Sequence, residues 1–186
     1  METTKPNKGD LLIAEPSILG DISFNRSVIL LAEYNSKGSV GFIVNKPLEY
    51  SINDLIPSVK SKFRVYNGGP VEQNNLYFIH NVPELINDSV EISNGIYWGG
   101  DFDSTVEIIN QGKIKRNNIR FFLGYTGWEK DQLDQEIKEN AWIIVNNRFQ
   151  KKLLSKGVSN LWKDHIKAQG GNYILFSNSP ENPILN

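Results

Sequence analysis

The sequence predicts one α+β domain, and three observations carry that prediction. Strand-like apolar runs dominate the first half of the chain and helical stripes the second, which is the pattern of segregated elements rather than of a regular βαβ repeat. The 186 residues lie within the range of a single core, and no internal repeat or low-complexity linker divides them. Hydrophobic residues make up 39% and aromatics 11%, enough to fill such a core and to exclude a wholly disordered chain. The domain is expected to span residues 9–176, between a flexible arm at 1–8 and a loosely ordered, turn-rich tail at 177–186.

Leu11 to Ala14 is the first expected strand, an apolar run that Glu15-Pro16 ends by forcing extended geometry. Ser27 to Tyr34 and Val40 to Asn45 are rich in Val, Ile and Leu, flank the turn-like Asn35-Ser36-Lys37-Gly38, and read as a hairpin. Pro47 lacks the N–H that a ladder needs and stops the second of these strands. Ser51 to Ile56 reads as one short helix, capped by Ser51 and terminated by Pro57. Phe63 to Tyr66 and Leu76 to His80 are strands on either side of Asn67-Gly68-Gly69-Pro70, where glycine allows close backbone approach. Ser89 to Ser93 and Gly95 to Trp98 supply two more.

Ser104-Thr105-Val106-Glu107 has the spacing of a capping box and predicts a helix from there to Gln111, ended by Gly112. Phe121 to Tyr125 is the next strand. Thr126-Gly127-Trp128-Glu129 repeats the cap logic ahead of a helix that places Leu133, Ile137 and Ala141 on one face. Trp142 to Val145 is the last strand, and Val158, Leu161, Trp162 and Ile166 form the last helical stripe.

Composition narrows the function classes. Lys plus Arg number 20 against 21 Asp plus Glu, so no net field favours nucleic acid or an anionic membrane. The absence of cysteine removes disulfides, thiolate zinc sites and cysteine nucleophiles, and two histidines leave no basis for a histidine-rich metal site. Met1 to Asp10 contains no signal-like apolar stretch, and no run of about 18 apolar residues is present to span a membrane. A cytoplasmic protein without metal or cofactor is the expectation.

Two dense blocks carry a family pattern. The first holds Leu12, Ile13, Ala14, Pro16, Ile18, Asp21, Phe24, Arg26, Ser27 and Val28, then Gly38, Gly41 and Ile43 to Pro47. The second holds Leu123, Gly124, Tyr125, Trp128, Gln132, Leu133, Glu136, Ile137, Asn140 and Trp142, and Gly68-Gly69-Pro70-Val71 lies between them. On these motifs the chain resembles the YqgE/AlgH family of bacterial proteins. The resemblance implies a single compact domain around a bulky, strongly curved mixed sheet with flanking helices, a place in the bacterial cytosol, and a label of transcriptional regulator. Two departures stand out: Glu33-Tyr34 replaces a common Glu-His pair, and Asp131 replaces a glycine common before Gln-Leu.

The candidate chemistry admits two readings at each point. Asp21 and Arg26, around Phe24, form either a rim pair that recognises an anion or amide, or a structural ion pair, which is favoured. Asn45-Lys46-Pro47 and Gly68-Gly69-Pro70 lie at strand ends, where open sheets place ligands. The Gly-Gly amides could nest a phosphate beside Lys46, or simply make a tight turn. Trp128, Gln132 and Glu136 recur at helical spacing as a recognition face or as a core lid with its caps. His80 serves as a general base only if a carboxylate is near, and otherwise as structure. Asp101 and Asp103 suggest a cation loop or a helix start.

Lys113, Lys115, Arg116 and Arg120, joined more loosely by Arg148, Lys151, Lys152 and Lys156, form the basic stretch. They could contact phosphates if they converge, but a solvated face balanced by Glu129, Asp131, Asp134 and Glu136 is favoured. No helix-turn-helix pattern, serine elbow, Walker loop or dinucleotide fingerprint accompanies them. The sequence therefore points to a non-enzymatic regulatory or binding module that acts through a protein or small-molecule ligand, with no membrane contact and no set oligomeric state. Its candidate rim is Asp21, Phe24, Arg26, Asn45, Lys46, Gly68, Gly69 and Gln132. The alternative is a hydrolase or transferase built on carboxylates and Arg26, and a direct DNA-binding regulator is least favoured.

Overall fold

A strand of 11 residues, Ile119–Glu129, organises the molecule. The structure is a computed structural model and describes residues 5–16, 23–147, 153–154, 158 and 160–179. In chain order the strands are β1 (Leu11–Ala14), β2 (Val28–Asn35), β3 (Gly38–Ile43), β4 (Pro47–Ser51), β5 (Arg64–Asn67), β6 (Val71–His80), β7 (Val90–Ser93), β8 (Ile96–Trp98), β9 (Ile119–Glu129) and β10 (Trp142–Val145). The helices are α1 (Ile52–Leu55), α2 (Phe102–Asn110), α3 (Gln132–Lys138), α4 (Leu161–Ala168) and α5 (Tyr173–Asn178).

The sheet runs β10-β1-β2-β3-β9-β6-β8-β7, with β4 attached through β5 to β9. Its pairings are antiparallel except for β5 on β9, so the sheet is mixed and the α+β expectation is borne out. The two ends of β9 serve different partners: Thr126 to Glu129 pair with β3, whereas Phe121 to Leu123 pair with β5 and β6. Between them Gly124 has φ 72°. Extended backbone cannot continue through that conformation, so the sheet turns there. The β5–β6 turn closes on the same point, with Gly68 N donating to Leu123 O at 2.8 Å and Ile43 N donating to Gly68 O at 2.9 Å.

Burial follows from strand alternation. Leu12 and Ala14 face Ile29, Leu31 and Ile43 beneath the α3 side chains Leu133 and Ile137, capped by Trp128 and Trp142. Leu11 and Ile13 face the other way, into Val28, Leu30, Phe42 and the α4 side chains Trp162 and Ile166. Covered on both faces, β1 has four buried residues, as an uninterrupted apolar run requires. A third cluster joins Ile52 of α1 and Ile109 of α2 to Val65, Phe78 and Phe121.

Strand β6 starts at Val71, five residues before the expected Leu76, and four further elements differ from the sequence reading. Strand β3 ends at Ile43, ahead of the Pro47 expected to stop it, and Pro47 instead begins β4, because the first residue of an edge strand needs no ladder N–H. Helix α2 starts at Phe102, since the Asp101 side chain accepts from Asp103 N at 3.1 Å and from Ser104 N at 3.4 Å and caps the helix ahead of Ser104. Thr126 to Glu129 extend β9 instead of capping a helix, because pairing with β3 satisfies their backbone. Helix α5 occupies residues to which the sequence reading assigns no element.

Candidate functional site

Most of the sequence-derived rim serves the fold. The Asn45 amide closes the gap between β2 and β3: its Oδ1 accepts from Val28 N and its Nδ2 donates to Arg26 O, both at 2.8 Å. Lys46 Nζ donates to Ser23 O at 2.8 Å. Arg26 has φ 54°, donates from Nη2 to Ser179 O at 2.7 Å and lies 5.0 Å from the Trp162 ring centroid. Asp21 lies outside the described residues. The Gly68 amide is spent on Leu123 O and the Gly69 amide on Asn67 Oδ1 at 3.1 Å, so the pair makes a close backbone approach to β9.

Phe24 and Gln132 enter a second network. Phe24 packs edge-on against Trp142 at 5.5 Å, and Trp142 against Trp128 at 6.0 Å. Both indoles donate to Glu136 Oε2, at 2.8 Å from Trp128 and 2.7 Å from Trp142. Gln132 Nε2 donates to the other oxygen of Glu136 at 2.9 Å, while its Oε1 accepts from Glu129 N at 2.9 Å. The two sequence blocks therefore meet at Phe24 and Trp142. Arg26 and Gln132 are held by different partners, Trp162 and Ser179 for one, Glu129 and Glu136 for the other.

An open cleft lies elsewhere. It has a volume of about 540 Å³ and forms where β4 and β5 meet the start of β9. Lys62, Arg64, Arg116 and Arg120 line it with Tyr50 and Tyr66, against two carboxylates, Glu49 and Asp54. Arg120 is 4% exposed. Its guanidinium donates to Val44 O at 3.0 Å, Leu153 O at 2.9 Å and Leu154 O at 3.4 Å, and lies 4.7 Å from the Tyr66 ring centroid. Burial lowers its pKa, yet a guanidinium stays protonated at physiological pH. Among the described residues no carboxylate lies within 4.0 Å of Arg120 or of Arg64.

The strand register explains how these cations gather. Val65 stands opposite Phe121 and Tyr66 opposite Phe122 on the parallel pair, so one step back brings Arg64 alongside Arg120. Two like charges brought alongside one another on neighbouring strands repel. Arg116 joins the same wall by donating from Nε to Lys62 O at 3.1 Å. Asp54 is held below the usual carboxylate range by hydrogen bonds from the Ser51 N–H and hydroxyl.

The sequence reading placed Arg120 on a solvated face; its burial overturns that. A lone arginine inside Ile119-Arg120-Phe121-Phe122 was the available signal, because an apolar strand carries a charge inward only where something receives it. Lys62 and Arg64 carried no such mark. Arg148, Lys151, Lys152 and Lys156 lie outside the described residues.

A profile of the family described as AlgH-like matches residues 11–174, and both motif blocks fall inside it. The chain belongs to the AlgH-like family. A UPF0301 protein from Bacteroides fragilis is 41% identical over 183 residues, 97% of this chain and 92% of its own length. Another from Chlorobium limicola is 37% identical over 186 residues, 100% of this chain and 98% of its own. The solution structure of the AlgH protein from Pseudomonas aeruginosa matches with a TM-score of 0.72 at 24% identity, over 97% of this chain and 98% of that one. A crystal structure from Corynebacterium diphtheriae matches with a TM-score of 0.76 at 22% identity, over 96% and 95% of the two chains. These two structures speak for the fold alone.

Both departures from the AlgH-like pattern have a structural place. Tyr34 donates to Asp134 Oδ1 at 2.6 Å, tying β2 to α3, and burial with this carboxylate pushes its pKa up to about 12. Asp131 has φ 63°, a conformation that a glycine takes without strain.

His80 is fully buried, stacked at 5.8 Å on Tyr97, and its Nδ1 accepts from Val82 N at 3.3 Å. Its Nε2 is buried, and the Gly99 backbone offsets part of the cost of charging the ring. Burial opposes the imidazolium and lowers the pKa from 6.5 to about 4. The folded state therefore binds fewer protons than the unfolded chain between these values, and stability is lost as pH falls through that window. The loss approaches about 3 kcal/mol. Urea titrations at neutral pH and near the lower value should show it in the native chain and not in His80→Gln. Equal acid losses in both would remove His80 as the cause.

Proposed function

We infer that the protein is a non-enzymatic binding module of the bacterial cytoplasm that responds to a small anionic ligand in the Arg120 cleft. The observation that carries this reading is the buried Arg120 guanidinium, set beside Arg64 without a carboxylate within 4.0 Å among the described residues. Buried charge is ordinarily paired, and the carbonyls that hold Arg120 satisfy its donors without neutralising it. An anion from solution supplies the missing charge and relieves the repulsion between the two side chains. Asp54, already accepting from Ser51, is suited to holding the wall of the cleft and not to donating a proton near neutral pH. Binding is thus favoured over acid–base chemistry.

Among the described residues no helix is long and apolar enough to cross a membrane. A regulatory role would run through ligand-dependent contacts with another protein. The balanced net charge of −1 offers nucleic acid no broad attraction.

Thermal unfolding with pyrophosphate, orthophosphate and citrate at low ionic strength tests the reading. An anion at about 100 times its Kd adds roughly 2.7 kcal/mol of stability. Arg64→Ala and Arg116→Ala change exposed side chains, so each should fold and lose the shift; Arg116→Ala should keep the unliganded Tm, and Arg64→Ala, which removes the like charge beside Arg120, should raise it slightly. No stabilisation by any of the three anions, or stabilisation that survives both substitutions, would overturn the proposed site.

A further inference from the structure

Resting on the reading of the Arg120 cleft as an anion site, we propose that its ligand is a nucleotide carrying two or more phosphates, with the base stacked on Tyr50. The cleft is large enough for such a ligand. A cleft of about 540 Å³ lies within the range of small-molecule and cofactor sites and far exceeds the need of a single phosphate.

The cations of the cleft stand at two points. Arg64 and Arg120 sit together at the β5–β9 floor, whereas Arg116 and Lys62 form a second point on the wall through the bond from Arg116 Nε to Lys62 O. Two cationic points suit a diphosphate, whose charges are themselves separated. The exposed guanidinium groups of Arg64 and Arg116 match phosphate oxygens in bidentate geometry, while Arg120, its donors spent on carbonyls, contributes charge.

The lining also carries two tyrosine rings. The Tyr66 ring already bears the Arg120 guanidinium, but Tyr50 is 40% exposed at the cleft. An aromatic ring left to solvent beside phosphate-binding cations is a platform for a base, since every base has a π-face. Glu49, exposed on β4 in the same lining, repels a bare polyphosphate but accepts hydrogen bonds from ribose hydroxyls, a role that acidic side chains take in other nucleotide sites.

Calorimetric titration of the full chain with ADP, GDP, adenosine and pyrophosphate tests the proposal. ADP or GDP should bind at least about fivefold more tightly than pyrophosphate, because one stacked base contributes at least that much. Adenosine alone should bind more weakly than either diphosphate. Tyr50→Ala and Tyr50→Leu, the second preserving bulk without a ring, should bring the nucleotides down to the pyrophosphate level and leave pyrophosphate unchanged. Pyrophosphate binding as tightly as ADP and GDP, with both Tyr50 variants unaltered, would overturn the nucleotide and leave the anion site standing. Adenosine binding as tightly as ADP would overturn the phosphate assignment. Absence of binding by ADP, GDP and pyrophosphate would overturn the anion site together with the nucleotide.

Discussion

Gly68→Ala is expected to destabilise the protein by at least about 4 kcal/mol, well beyond the usual range for one methyl group. An added Cβ would lie 2.1 Å from Gly124 O and 2.9 Å from Phe122 Cβ. The nearer obstacle is backbone on the central strand, so a side-chain rotation cannot relieve it. Relief would lift the β5–β6 turn from β9 and break the bonds from Gly68 N to Leu123 O and from Ile43 N to Gly68 O. These bonds sit where β9 turns between its two sets of partners. Gly112→Ala provides the contrast, because its Cβ would meet nothing within 4 Å and only its φ of +74° opposes the change. That variant should lose about 1 kcal/mol. Urea midpoints distinguish the two, and a Gly68→Ala midpoint close to that of Gly112→Ala would refute the close-approach argument.

Glu136→Ala is expected to remove about 3 to 5 kcal/mol, because one carboxylate serves two buried indoles and losing it strands both donors. Trp128 and Trp142 are each 5% exposed, so water cannot readily replace the lost acceptor. Gln132 loses its partner at the same time. Glu136→Gln keeps an acceptor for the indoles but loses the charge and sets its amide nitrogen against the Gln132 Nε2 donor, and should lose about 2 kcal/mol. Denaturant midpoints give the stability, and tryptophan emission reports whether the indole surroundings have changed. A loss below about 1 kcal/mol for Glu136→Ala would mean that the indoles find other acceptors.

Legibility in the sequence followed the range of the interactions. The β2–β3 hairpin could be read because its strands and turn are contiguous, and Leu11–Ala14 because an apolar run of that length reads as a buried strand. Helix α1 could be read because Ser51 and Asp54 cap it locally. Strand β4 was hidden by Pro47: its pairing with β5, Pro47 opposite Tyr66 and Ser51 opposite Arg64, depends on a partner beyond α1. The extension of β9 through Thr126 to Glu129 was hidden for the same reason, since β3 selects it.

The rim shows the same limit in its chemistry. Asn45, Gly68, Gly69 and Gln132 were found as motif positions, but a motif position does not say whether its polar atoms face a ligand or the chain itself. Here the Asn45 amide meets Arg26 O and Val28 N, and the Gln132 amide meets Glu129 N and Glu136.

By itself the sequence determined the family, the single α+β core, the two dense blocks and the lack of a nucleophile motif, all properties of residue type and local spacing. Only the tertiary structure decided that Phe24 reaches Trp142, that Glu136 binds two indoles, and that Arg120 lies buried beside Arg64. The reason is physical: strand register and burial are set by partners distant in the chain, and they determine which charges water can reach.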